Sequence, residues 1–230
     1  MLIGEWNMNK LIVIEGTDCS GKQTQSELLM ANLATKGYNI HKSCYPRYDT
    51  PTGRIIGECY LGKTGNGFFS EGATNVDPKV AGLYYSADRL YNAPKVASML
   101  ETGSVVLDRY VDSNLAHQCA KAKSEEEWNE IYNYFVELEY GLLGLPRPDI
   151  RVLLYMPTEY ARILKAGRVE EAPDQHEADE EYLKRAERSY LEVAKRGEYK
   201  IITCVKDGVI RTIDDIQEEL IQFVEEELNK

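Results

Sequence analysis

The sequence predicts an α/β fold in which helices cover both faces of a parallel sheet. Three observations carry that reading. Five short, mostly apolar runs alternate with longer segments of helical periodicity along the 230 residues. Parallel strands buried on both faces have this appearance, and each crossover between them needs a helix. A glycine-containing turn joins the first apolar run directly to the first helix. No internal repeat or low-complexity linker divides the chain, so residues 1–230 are read as a single domain.

The elements follow in order. Leu11, Ile12, Val13 and Ile14 open a strand over 11–15, followed by a helix over 22–36. A second strand at 39–44 leads to a helix at 52–61. Residues 62–77 are rich in Gly and Asn and read as a loop. A long helix over 78–101 precedes the strand at 104–108, and another helix spans 124–143. The strand at 150–156 is followed by a helix at 158–166. A charged loop at 165–174 contains Gly167 and Pro173. A helix at 177–196, a strand at 200–204 and a helix at 213–228 complete the chain.

Composition narrows the function. Hydrophobic residues make up 43% and charged residues 28%, which fits a globular chain. The net charge of −11 argues against a nucleic-acid partner, which favours a basic face. The acids Glu225, Glu226 and Glu227 read as a solvated helix face. Five cysteines lie far apart without a CxxC pair or zinc spacing, so reduced thiols in a cytoplasmic compartment are expected. No apolar run approaches the roughly 20 residues of a membrane span.

The chemistry-bearing residues cluster at the expected carboxyl ends of strands, where such sheets bind ligands. Gly16, Thr17, Asp18, Cys19, Ser20, Gly21, Lys22, Gln23 and Thr24 link strand to helix. Backbone N–H groups in such a loop converge on a phosphate, the helix N-terminus favours its charge, and Lys22 reaches the outer phosphates. Asp108 and Arg109 end the third strand. An acid there suits Mg²⁺ and the arginine fork suits phosphoryl groups, while a structural ion pair is the alternative. Tyr85 and Arg89 are four apart and share a helix face, which suits a flat heterocycle. On spacing alone a core tyrosine beside a solvated arginine is the better account. Arg47 and Tyr48 follow the second strand in a Pro-rich turn. Arg162, Lys165 and Arg168 border the charged loop as candidate cations for a closing lid.

Together EGTDCSGKQTQ, YPRYDTPTG, YYSADR, LDRYVDSN, LEYGLLGLPRPD and the segment DQHEADEEYLKRAERSYLEVA resemble the thymidylate kinase family, in order, over about residues 11–205. The resemblance implies transfer of the ATP γ-phosphoryl group to dTMP with Mg²⁺. It also implies a three-layer P-loop NTPase fold, a five-stranded parallel sheet, a lid at about 162–177 and a homodimer. By position it implies that Lys22 serves the ATP phosphates and that Asp18 faces the nucleotide sugar and positions the acceptor. Arg47 and Tyr48 then lie near the acceptor phosphate. Tyr85 stacks on thymine, Arg89 reads the base, and Asp108 and Arg109 form the Asp-Arg pair. Asn114 and His117 match a base-contacting asparagine and an aromatic, and Glu177 a lid-proximal acid. Three departures stand out. Gln23 replaces the metal-holding hydroxyl, and Cys19 sits where some members carry an arginine, which leaves a basic lid, Arg168 first, to supply the cation. Tyr85 and His117 are polar where phenylalanine is common, which opens thymine preference to question. A kinase of another nucleotide such as dUMP, or a P-loop regulator without turnover, are the alternatives.

Overall fold

Leu11, Ile12, Val13 and Ile14 are wholly or almost wholly withdrawn from solvent because their strand lies mid-sheet. The computed structural model describes residues 9–65, 67–166 and 180–230. Its main sheet contains β1 (Leu11–Gly16), β2 (Ile40–Cys44), β3 (Ser104–Asp108), β4 (Ile150–Tyr155) and β5 (Lys200–Thr203). The order is β2-β3-β1-β4-β5, and every pairing is parallel. A two-stranded hairpin, β6 (Val205–Lys206) and β7 (Val209–Ile210), follows β5. The helices are α1 (Lys22–Thr35), α2 (Pro51–Arg54), α3 (Pro78–Thr102), α4 (Val111–Cys119), α5 (Glu125–Val136), α6 (Thr158–Ala166), α7 (Glu180–Arg196) and α8 (Ile213–Leu228). Single π-helical segments extend α2 over Ile55–Tyr60 and α5 over Glu137–Leu142.

Side chains alternate across the pleat and build a core on each face. Leu11 and Val13 join Val105 and Leu107 beneath Val96, Leu115, Phe135 and Val193. Ile12 and Ile14 join Val106, Val152 and Leu154 beneath Leu29 and Leu33 of α1 and Leu220 and Val224 of α8. Each such aliphatic side chain contributes roughly 1.5–3 kcal/mol when fully buried. The expected three layers and parallel sheet are therefore present.

Two elements depart from the sequence expectation. The segment after β3 is a helix, α4, although no helix was expected there. Eight of its nine residues are buried, including Asp112, Ser113, Asn114 and Gln118. A helix buried on nearly every side shows no amphipathic stripe. The β6–β7 hairpin was also unforeseen. Asp207 and Gly208 at its turn both have positive φ, 51° and 77°, the pairing that a two-residue hairpin turn requires.

Candidate active site

The sheet order reverses at β1, so a crevice opens beyond the carboxyl ends of β1, β3 and β4. One pocket occupies it. The phosphate-loop end is marked by Gly16, Thr17 and Asp18, and the opposite end by Tyr85, Arg89 and Asn114.

The loop between β1 and α1 is moored by a threonine. Thr17 donates its hydroxyl to Met156 O at 2.7 Å and accepts from Met156 N at 2.8 Å. Its own N–H bonds Leu154 O at 3.2 Å. Cys19 and Gly21 turn the chain through left-handed backbone, with φ of 54° and 73°. Gly21 is the N-cap of α1, and no side chain caps that end. The orphan N–H groups of the first turn are thus available to an anion. Ser20 Oγ is buried and without a partner among the described residues.

Charged groups crowd this end. Lys22 is half-buried, with Nζ 3.5 Å from Thr17 O. Desolvation, helped by the nearby Arg109, lowers its pKa to about 8, while Asp108, Asp18 and Glu15 oppose the shift. Glu15 is buried, accepting from Tyr110 N at 2.7 Å, Ser113 N at 3.0 Å and Ser113 Oγ at 2.5 Å. Burial raises its carboxyl to about 7, against the pull of Ser113 and Arg109. Arg109 has φ 66°. Its guanidinium donates to Ser113 Oγ at 3.1 Å and Tyr190 OH at 2.8 Å. Burial opposes its charge, but Tyr190, Asp108 and Glu15 hold the pKa above the ordinary value. Asp108 Oδ1 is buried and has no partner among the described residues. Lys165, on α6, forms an ion pair with Asp18.

The opposite end is neutralised internally. Glu139, fully buried in the π segment after α5, receives Arg89 Nε at 2.5 Å and an Arg89 Nη as well. It also accepts from Ser86 Oγ at 3.0 Å and Asn114 Nδ2 at 3.1 Å. Tyr85 meets Tyr60 edge-on with ring centroids 5.9 Å apart. His117 Nδ1 lies 2.9 Å from Tyr182 OH.

The turn after β2 closes a side of the pocket with Tyr48. Asp88 of α3 pins that turn, accepting from Arg47 N at 2.9 Å and Thr52 Oγ1 at 2.7 Å. Gly53 allows the close approach, since a Cβ there would lie 1.9 Å from Arg47 O.

The thymidylate kinase family model matches residues 14–213. A probable thymidylate kinase of Thermococcus onnurineus is 31% identical over 95% of this chain and 98% of its own. The thymidylate kinase of Mycobacterium tuberculosis is 30% identical over 81% of this chain and 86% of its own. The chain belongs to the thymidylate kinase family. The solved thymidylate kinase of Candida albicans has the same fold, with a TM-score of 0.72 at 23% identity, covering 95% of this chain and 92% of that one.

Most positions singled out by resemblance to thymidylate kinases meet in this pocket. Gly16, Thr17, Asp18, Tyr48, Tyr85, Arg89, Arg109, Asn114 and His117 line it, as do Arg162 and Lys165. Cys19, Ser20, Gly21 and Lys22 complete the adjoining loop, and Asp108 directly precedes Arg109. Arg89 is not the solvated arginine that spacing favoured. It is 2% exposed, because a helix face that carries one apolar ring also carries this ion pair into the core. Gln23 and Thr24 are exposed on α1, where Gln23 Nε2 bonds Glu27 Oε1 at 3.2 Å. The guanidinium of Arg47 turns to Asp49, at 2.8 and 3.3 Å, and does not line the pocket. Arg168 and Glu177 lie outside the described residues, as does the lid beyond residue 166.

Sequence reasoning missed Glu15, Asp88, Glu139 and Tyr190. Glu15 carried a usable signal, an acid ending an apolar strand directly before the glycine loop. Asp88 stood inside the YYSADR motif without a role. Glu139 stood inside the LEYGLLGLPRPD motif, likewise without a role.

Proposed function

We propose that this chain is a thymidylate kinase that transfers the γ-phosphoryl group of ATP to dTMP, giving dTDP and ADP. One observation carries the reading beyond family membership. A phosphate loop and a polar, aromatic-sided base end share one pocket, with Arg109 between them in chemical role. A regulator that only binds ATP has no need of the second end.

In this reading the loop N–H groups and the α1 N-terminus hold the ATP phosphates, and Lys22 neutralises the outer ones. Arg109, fixed by Ser113 and Tyr190, spreads its fork toward the group in flight. Asp18 orients the acceptor, Tyr48 borders its phosphate, and Tyr85 stacks on the base beside His117. Arg89 and Asn114 bond the base edge. Catalysis is positioning and charge neutralisation, with no covalent enzyme intermediate.

Mg²⁺ fits the residues present. Asp108 offers a buried carboxylate oxygen without a protein partner among the described residues, while those residues contain no cluster of three or more His, Cys, Asp or Glu suited to a metal. That matches an ion held by one carboxylate, phosphate oxygens and water rather than a protein cage. When bound, Mg²⁺ neutralises phosphate charge. Gln23 gives its amide nitrogen to Glu27, which leaves its amide oxygen as the alternative ligand.

We assign the lid to about 162–177, within one domain spanning 1–230. Arg168 is its first cation and Glu177 its acid, both on sequence position alone; Lys165 and Arg162 are the alternatives already lining the pocket. A homodimer is supported by an exposed apolar stripe on α3, Val80, Leu83, Leu90 and Tyr91. A cytoplasmic setting fits the described residues, in which no disulfide forms and no helix is long and apolar enough to cross a membrane.

The test is ADP release with ATP–Mg²⁺ against dTMP, dUMP, dCMP and dGMP. Turnover highest with dTMP is expected. Higher turnover of dUMP moves the assignment to that nucleotide, and none with any acceptor removes the kinase reading.

A further inference from the structure

Asn114 presents its amide in one orientation only. Its Nδ2 faces Gly82 O at 3.3 Å and Glu139 Oε1 at 3.1 Å. A carbonyl and a carboxylate accept and do not donate, so nitrogen must face both of them. That leaves Oδ1 as an acceptor, buried and without a partner among the described residues, in a side chain that lines the pocket. Arg89 lines the same pocket end, and a guanidinium offers donors only. Glu139 holds both groups, with Ser86 Oγ at 3.0 Å as a further donor on the same carboxylate oxygen that receives Asn114.

We propose that Glu139 is a positioning residue for substrate choice, fixing a donor–acceptor pair at the base end that admits keto pyrimidines and rejects amino pyrimidines. The inference rests on the nucleotide-kinase reading above. Thymine and uracil present a ring N–H donor beside a carbonyl acceptor. Cytosine presents a ring nitrogen acceptor beside an amino donor, so both contacts reverse. A site whose buried polar groups would be left facing their own kind discriminates strongly. The π-helical segment contributes directly. It places Glu139 on the Arg89 side, in a stretch where such an irregularity commonly marks a functional position. Nothing about Glu139 requires it to touch the nucleotide.

The experiment measures kcat and KM for dTMP and dCMP, at saturating ATP, in the parent, Glu139→Gln and Ser86→Ala, with near-UV circular dichroism to check packing. In Glu139→Gln the new amide competes with that of Asn114, which then keeps only the 3.3 Å bond to Gly82 O to orient it. The preference in kcat/KM for dTMP over dCMP should fall by about tenfold or more. The change should appear in KM for the nucleotide, with KM for ATP nearly unchanged. Ser86→Ala keeps the Arg89 and Asn114 contacts and should keep the preference. Should Glu139→Gln not fold, Glu139→Asp carries the same test, since it retains the charge for Arg89 but withdraws by one methylene from Asn114. A folded variant that loses turnover equally on both nucleotides, or keeps the parental preference, overturns the role of Glu139 while leaving the kinase reading intact. A parent that phosphorylates neither nucleotide overturns both.

Discussion

The two ends of the pocket are built on opposite principles. At the base end, Glu139 neutralises Arg89 and collects Ser86 and Asn114, so the charges are satisfied before any ligand arrives. At the phosphate end, Lys22 is held with a depressed pKa, Glu15 with a raised one, and Ser20 Oγ and Asp108 Oδ1 have no partners among the described residues. The fold satisfies the charges of the first and leaves it the acceptor Asn114 Oδ1, whereas the second keeps Ser20 Oγ and Asp108 Oδ1 for the ligand proposed above. Removing a member of the first should therefore cost stability, and removing a member of the second should cost turnover.

The largest expected effect is Arg89→Ala. It strands the Glu139 carboxylate in a dry site, and breaking a buried pair in that way costs roughly 3–5 kcal/mol. Denaturant unfolding should show it, together with a rise in KM for dTMP far larger than any rise in KM for ATP. Unfolding at the parental midpoint would break the comparison. Next comes Lys22→Ala. It should lower kcat by about a hundredfold or more, because one charge reaches the phosphates from that position, and leave the unfolding midpoint at or above the parental value. A kinase that stays fast without Lys22 would remove the phosphate end from catalysis.

Glu15 sharpens the comparison through pH. Its folded pKa of about 7 exceeds its ordinary 4.5, so the folded chain binds the extra proton. Stability from this group is then greatest below pH 4.5 and falls as pH rises to about 7, by roughly 3 kcal/mol as an upper bound. Melting temperatures at pH 5 and pH 8 should differ in the parent and differ less in Glu15→Gln. An equal pH slope in both would assign the effect to other groups. The smallest effect belongs to Asp108→Asn, which should raise the Mg²⁺ concentration for half-maximal rate by about tenfold. An unchanged Mg²⁺ titration would separate Asp108 from the metal.

The same division explains what was legible in the sequence. The phosphate end is local: strand, left-handed turn and helix start occupy one short stretch from Leu11 to Thr24, and the chemistry of each step dictates its residue type. The sheet was legible for a related reason, since apolar runs such as Val105, Val106 and Leu107 allow few other environments. The base end joins Ser86, Arg89, Asn114 and Glu139 across three helical segments, and no spacing encodes that meeting. Helix α4 escaped notice because burial on nearly every side erases periodicity, and it carries both Asn114 and Ser113. Glu139 lies in the π-helical segment that extends α5, where regular helical spacing does not say which face it takes. Tyr85 and Arg89 could be paired by spacing, but the direction in which Arg89 pointed depended on a carboxylate fifty residues away.

The ion pair between Lys165 and Asp18 ties the last turn of α6 to the phosphate loop. An incoming phosphate group near Lys165 must take that lysine from a partner it already has. In the reading proposed above, a nucleotide triphosphate would bring several charges and meet Lys22, Arg109 and the α1 N-terminus as well, which offsets that exchange. On that reading a polyphosphate would compete for Lys165 better than a singly charged anion would.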